Sequence, residues 1–212
     1  MKTWWKKYNH ALLFCYALFY MPCFVWLEHH VTTDYFVIHS PIDDMIPFCE
    51  YFIIPYYLWF LFVPAVFIYE FFYSKSEFIR MCIFMFAGMT TFLIVCALWP
   101  NGLHLREQIT LRDNFCCSLV ERLHEADTCT NVFPSLHVFN TLGCLIALFH
   151  TKGPARKKRL LIPATVLSVF ILMSTLFLKQ HSVIDLTGGV VMAAVLYVAV
   201  YLLPARLSKK SN

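Results

Sequence analysis

Six stretches of this chain, at about residues 9–27, 50–73, 78–99, 133–151, 160–178 and 183–204, are apolar almost from end to end. A helix rises about 1.5 Å per residue and the hydrocarbon core of a bilayer is roughly 30 Å thick, so runs of about 20 residues are long enough to cross it. A soluble fold would break such runs with a polar face. Charged residues make up only 14% of the 212, against roughly 25% in an ordinary soluble domain. The expected fold is therefore all-α, an integral membrane six-helix bundle forming a single domain over 1–212. The first run lacks a small-residue cleavage site and continues into Trp26, Glu28 and His29, so it reads as a retained span rather than a signal peptide. Pro55 and Pro64 lie in the second run and predict a kink there, tolerated because neighbouring groups in a membrane bundle satisfy the freed carbonyls.

The net charge of +4 does not point to nucleic acid, because the basic residues form short clusters between apolar runs, as topology signals do. Lys2, Lys6, Lys7, Lys75, Arg80, Lys152, Arg156, Lys157, Lys158, Arg159, Arg206, Lys209 and Lys210 fall on one side, leaving Arg106, Arg112, Arg122 and Lys179 on the other. The second side also takes every acidic residue except Glu70 and Glu77. The positive-inside rule then makes both termini cytoplasmic and turns the loops at 28–49, 100–132 and 179–182 outward.

The loop at 100–132 is too long for a plain connection. Its Leu111, Phe115, Leu119, Val120 and Leu123 recur at helical spacing, which predicts a short amphipathic helix at the membrane interface. Cys116, Cys117 and Cys129 share this loop, and the sequence leaves open whether they pair or stay free. HHVTTD at 29–34 has no defined metal-site spacing, and Gly188 and Gly189 read as a close-packing contact.

Three polar stretches sit at span ends on that outward side: PNGLHLRE at 100–107, NVFPSLHV at 131–138 and STLFLKQHSVIDLTGG at 174–189. His181 and Asp185 are four residues apart; on one helix face the carboxylate can bond one imidazole nitrogen and leave the other free as nucleophile or base. Pro134 suits a first helical position, which would put Ser135 and His137 in the first turn, where free amides favour phosphate oxygens. His137 stands there as a proton donor. Arg106 and Lys179 add positive charge of the kind a phosphoryl transition state needs.

Together these stretches resemble the type 2 phosphatidic acid phosphatase superfamily, whose motifs are a lysine with a downstream Arg-Pro, then Pro-Ser-Gly-His, then Ser-Arg with a downstream His and Asp. The second is present as Pro134-Ser135-Leu136-His137, and the third keeps Ser174, His181 and Asp185 with Thr175 in the arginine place. In the first, Arg106 takes the arginine position, Trp99 the lysine position and Glu107 the proline position. The pattern is most similar to the branch that contains inositol phosphorylceramide and sphingomyelin synthases. The resemblance implies a metal-independent mechanism with no cofactor. His181 would attack phosphorus to give a phosphohistidine, Asp185 would orient it and His137 would protonate the leaving alkoxide, while Arg106, Ser135 and Lys179 would hold the phosphate oxygens.

The expected function is a membrane phosphatase acting on a lipid phosphate at the outer face. The alternative is a phosphotransferase of the same site that passes the phosphoryl head group to a lipid alcohol. An inactive membrane scaffold or transporter fits less well, since a carboxylate at a helix's membrane end is costly without a role.

Overall fold

The computed structural model describes residues 7–153 and 158–204. Of the residues used above, Lys2, Lys6, Arg156, Lys157, Arg206, Lys209 and Lys210 lie outside the described residues. A 3₁₀ turn at Asn9–Cys15 leads into α1 (Tyr16–His30), and α2 (Pro41–Met45) is a single short helix in the loop that follows. The spans α3 (Ile53–Tyr73) and α4 (Lys75–Leu98) come next, then α5 (Phe115–Ala126). The chain continues through α6 (Leu136–His150), α7 (Lys158–Phe177) and α8 (Val183–Tyr197), which runs on as a π-helical turn, Val198–Leu202. The fold is all-α and membrane-embedded.

Five helical stretches are long and apolar enough to cross a membrane: Asn9–His30, Glu50–Tyr73, Lys75–Leu98, Arg159–Phe177 and Val183–Leu202. Their outward faces carry Leu18, Leu61, Phe72 and Leu98 in the open, an apolar surface that suits acyl chains and not water.

The span expected at 133–151 is shorter than its apolar run. Helix α6 has 15 residues, about 22 Å of rise, because the chain before Leu136 is not helical. Ser135 is the N-cap, with extended backbone and its hydroxyl accepting from the Val138 amide at 3.4 Å. Pro134 therefore precedes the cap instead of opening the helix. The shortfall is tolerable because α6 packs against α3, α4, α7 and α8, and irregular backbone at membrane depth survives where protein surrounds it. Phe139 of α6 stacks on Phe84 of α4 at 4.9 Å, over Gly88, where a Cβ would collide with its ring. At the far end Glu70 of α3, fully buried, accepts from the Thr151 hydroxyl at 2.6 Å and ties α3 to the end of α6.

At the opposite end three extended segments form a clip. β1 (Phe36–Val37) pairs in parallel with β2 (Asn101–Gly102), and Gly102 bridges Thr130 in the antiparallel sense. Asn101 is completely buried, and its side-chain oxygen accepts from the amides of Val132 (3.0 Å) and Phe133 (2.8 Å). One side chain thus satisfies the irregular backbone that feeds α6.

The amphipathic helix expected in the 100–132 loop is α5, capped by Asn114. Of the residues at helical spacing, Leu119, Val120 and Leu123 pack inward. Cys117, Val120 and Leu123 are buried, while Phe115 is 76% exposed and Leu111 is also exposed. The face turned inward packs on Ile53, Tyr56 and Leu178, so α5 roofs the start of α3. Cys116, Cys117 and Cys129 are free thiols.

Candidate functional site

The three motif stretches converge beneath α5. The third is built at the α7–α8 junction. Lys179 holds a left-handed conformation (φ 57°) that ends α7, a conformation usual at helix ends, and the amides of Gln180 and His181 both turn back to the Thr175 carbonyl at 3.0 Å. Ser182 then caps α8: Asp185 accepts from the Ser182 amide at 2.8 Å, completing a capping box. The same carboxylate oxygen lies 3.4 Å from His181 Nδ1. The contact is at ion-pair distance only, since His181 Nδ1 has no hydrogen-bond partner, and Asp185 is wholly buried.

The second stretch is held against the third by backbone. The Ser135 amide donates to the Asp185 carbonyl at 3.1 Å. A Cβ on Gly189 would stand 2.7 Å from the Ser135 carbonyl oxygen, and one on Gly188 would enter the Phe133 ring. The paired glycines are what lets α8 approach this turn. The approach brings the His137 and His181 rings to 5.7 Å between centroids, nearly edge to face. Trp59 and Tyr56 of α3 pack on His137 at 4.4 and 4.7 Å, and its Nε2 is buried without a hydrogen-bond partner. Both histidines line one cavity of about 460 Å³.

The phosphate-binding residues expected from the sequence are placed differently. Lys179 does not line the cavity. Its ammonium donates to the Asp43 and Ile46 carbonyls at 2.5 and 2.6 Å, which spends its charge on the 28–49 loop. Burial there pulls its pKa down, against the pull of Asp43 and Asp44. Ser135 caps α6 and does not line the cavity either. Arg106 reaches the site from behind: it donates to the Asp127 carbonyl at 2.6 Å, the Thr128 carbonyl at 3.1 Å and the Gln180 side-chain oxygen, and pairs with the Asp127 carboxylate at 3.5 Å. Thr175, in the missing arginine's place, bonds the Leu172 carbonyl at 2.8 Å within its own helix.

Sequence reasoning missed four residues that build the site. Gln180 and Asp127 line the cavity, and burial raises the Asp127 pKa while the charges of Arg106 and His181 oppose the rise. Asn101 orders the approach to α6, as described. Asp43 of α2, almost fully buried, accepts from the Ser182 hydroxyl (2.6 Å), the Val183 amide (2.8 Å) and the Ser40 amide (2.8 Å). It therefore anchors the α8 cap that carries Asp185. A signal for it was present in SPIDD, a capping-box pattern that predicts a helix start without naming its target.

Residues 111–209 match the model of the PAP2 superfamily. Neither a curated protein nor a solved structure gives a significant match.

Proposed function

We propose, from the match of residues 111–209 to the PAP2 superfamily model, that the chain is a lipid phosphate phosphatase working through a phosphohistidine at the outer membrane face, with both termini cytoplasmic. That match supports a phosphoric monoester hydrolase or a related phosphotransferase. The observation that carries the reading is the pairing of His181 with Asp185 at 3.4 Å while His137 faces it across one cavity.

Asp185 stands 3.4 Å from Nδ1, which supports Nε2 of His181 as the nitrogen that attacks. Its lone pair forms the P–N bond as the P–O bond to the lipid breaks, and the leaving alkoxide takes its proton from His137. Water, deprotonated by His137, then attacks phosphorus and returns His181 to its starting state. Arg106 holds Asp127 and Gln180 in place, and Gln180 Nε2, buried with no partner, is a donor left for a phosphate oxygen. A lipid substrate is supported by a second cavity of about 400 Å³, walled by apolar residues such as Val63, Phe67 and Phe86, which shares Tyr20, Met21, Trp59, Met89 and Asn140 with the first. An acyl chain can lie there while its phosphate sits between the histidines.

The test is a trapping experiment. His181→Ala should lose both turnover and any acid-labile phosphoenzyme. His137→Ala should be slowed by about 10²–10⁴-fold on alkyl phosphates and recover a larger fraction of wild-type rate on p-nitrophenyl phosphate, whose leaving group needs little protonation. A phosphoenzyme that persists in His181→Ala would reverse the two roles. The transferase reading shares every residue named, and the branch resemblance favours it; it predicts that adding a lipid alcohol diverts phosphate from water into new phospholipid.

A further inference from the structure

The cavity that would receive a phosphate is poor in positive charge. Glu28 and Asp127 line it, and among the described residues no lysine or arginine does. Asp127 is occupied by Arg106 and by the Tyr56 hydroxyl. Glu28 has no cation within ion-pair distance among the described residues; it accepts from Asn131 Nδ2 at 2.8 Å and from the Thr128 hydroxyl.

The bond to Glu28 fixes which way the Asn131 amide points, leaving its Oδ1 as the unused acceptor. Asn131 is 6% exposed, lines the cavity, and its Oδ1 has no hydrogen-bond partner. Asn140, 7% exposed and also on the cavity wall, leaves its Oδ1 unpartnered too. Glu28 and two asparagines with buried, unpartnered amide oxygens therefore line the same cavity as Phe24 and Trp59. A phosphate cannot satisfy this wall, since its oxygens are acceptors as well. An ammonium group can: it carries donors only and is attracted both to a carboxylate and to aromatic faces. Buried acceptors call for N–H groups, which a primary ammonium has and a trimethylammonium lacks.

We propose that Glu28, Asn131 and Asn140 form a subsite for a primary ammonium group on the substrate, so that the lipid is an amine-bearing phospholipid. This rests on the phosphoryl-transfer reading, with phosphorus between His137 and His181 and the ammonium on the Glu28 side. The amine can come from an ethanolamine head group on a phosphodiester or from the sphingoid base of a phosphomonoester.

Binding to the full-length His181→Ala protein in detergent, followed by calorimetry, tests the subsite without turnover. The first arm compares dihexanoyl phosphatidylethanolamine with its choline and glycerol counterparts; the second compares sphinganine 1-phosphate with its N-acetyl form. The primary amine should bind about tenfold tighter or more than its matched partner in at least one arm, and that arm identifies the source. Glu28→Gln, isosteric and still an acceptor for Asn131 and Thr128, should bring the ratio close to one. Equal binding within both pairs overturns the proposal, whatever the variant does, and so does a preference that survives Glu28→Gln. Wild-type turnover is scored on the same lipids: preference without cleavage removes the phosphoryl-transfer reading and leaves the subsite, and cleavage without preference does the reverse.

Discussion

At the scale of single residues, positioning is spread over side chains that never meet substrate. Asp185 stands 3.4 Å from His181 Nδ1 and accepts from the Ser182 amide, and the Ser182 hydroxyl donates to the carboxylate of Asp43 in a different loop. Lys179 closes the same contact from the other side through the Asp43 and Ile46 carbonyls. Lys179→Met should therefore lower kcat with little change in KM, by roughly ten- to a hundredfold if His181 shifts by about 1 Å. Lys179→Arg should recover part of the loss. Asp43→Asn keeps the volume but leaves one of the three donors unmatched, a cost of about 1–3 kcal/mol. Steady-state kinetics alongside thermal unfolding separates the two effects. A Lys179 variant that raised KM alone would return this residue to the phosphate clamp that its sequence position suggested.

At the scale of elements, α8 and α5 decide the geometry. Gly189→Ala should improve helix propensity by about 1 kcal/mol, yet its Cβ has only 2.7 Å to the Ser135 carbonyl oxygen. Backbone must move, and His137 sits two residues beyond. The expected outcome is a lower Tm and a loss of activity out of proportion to it, measured by thermal unfolding and initial rates. Helix α5 carries a pH-dependent contribution. Burial and the nearby Arg106 charge depress the His124 pKa to about 4 from its usual 6.5. The unfolded chain then binds a proton that the folded chain refuses, so stability falls as pH drops from about 6.5 to about 4. His124→Gln should flatten that limb of a Tm-versus-pH curve and leave the neutral region nearly unchanged. An unaltered slope would place the acid sensitivity elsewhere.

At the scale of the whole molecule, the bundle is organised around its shortest span. Helix α6 is shielded by four neighbours, and the chain length it gives up becomes the clip and cavity at one end. The proposed orientation, drawn from the charge asymmetry of the sequence, turns that end outward. In a cysteine-depleted background, a cysteine placed at Arg122 should react with an impermeant reagent in intact cells, and one at Lys152 only after lysis. The opposite pattern would invert the protein.

The sequence alone determined the class of fold and five of the six expected spans, because apolar run length is a local property and a membrane leaves few alternatives to a helix. It also located the amphipathic α5, of whose expected apolar residues Leu119, Val120 and Leu123 turn inward and Leu111 and Phe115 do not. Local pattern could not decide what a polar side chain faces. Lys179 and Ser135 stand beside the motif histidines in sequence, yet one side chain closes a loop and the other caps a helix, because their backbone conformations aim them away from the cavity. Asp43, Asn101, Asp127, Asn131 and Glu28 show the converse. They come from three separate stretches of chain, and only the tertiary packing of those stretches over α6 brings their hydrogen-bonding groups to their partners, where burial favours pairing.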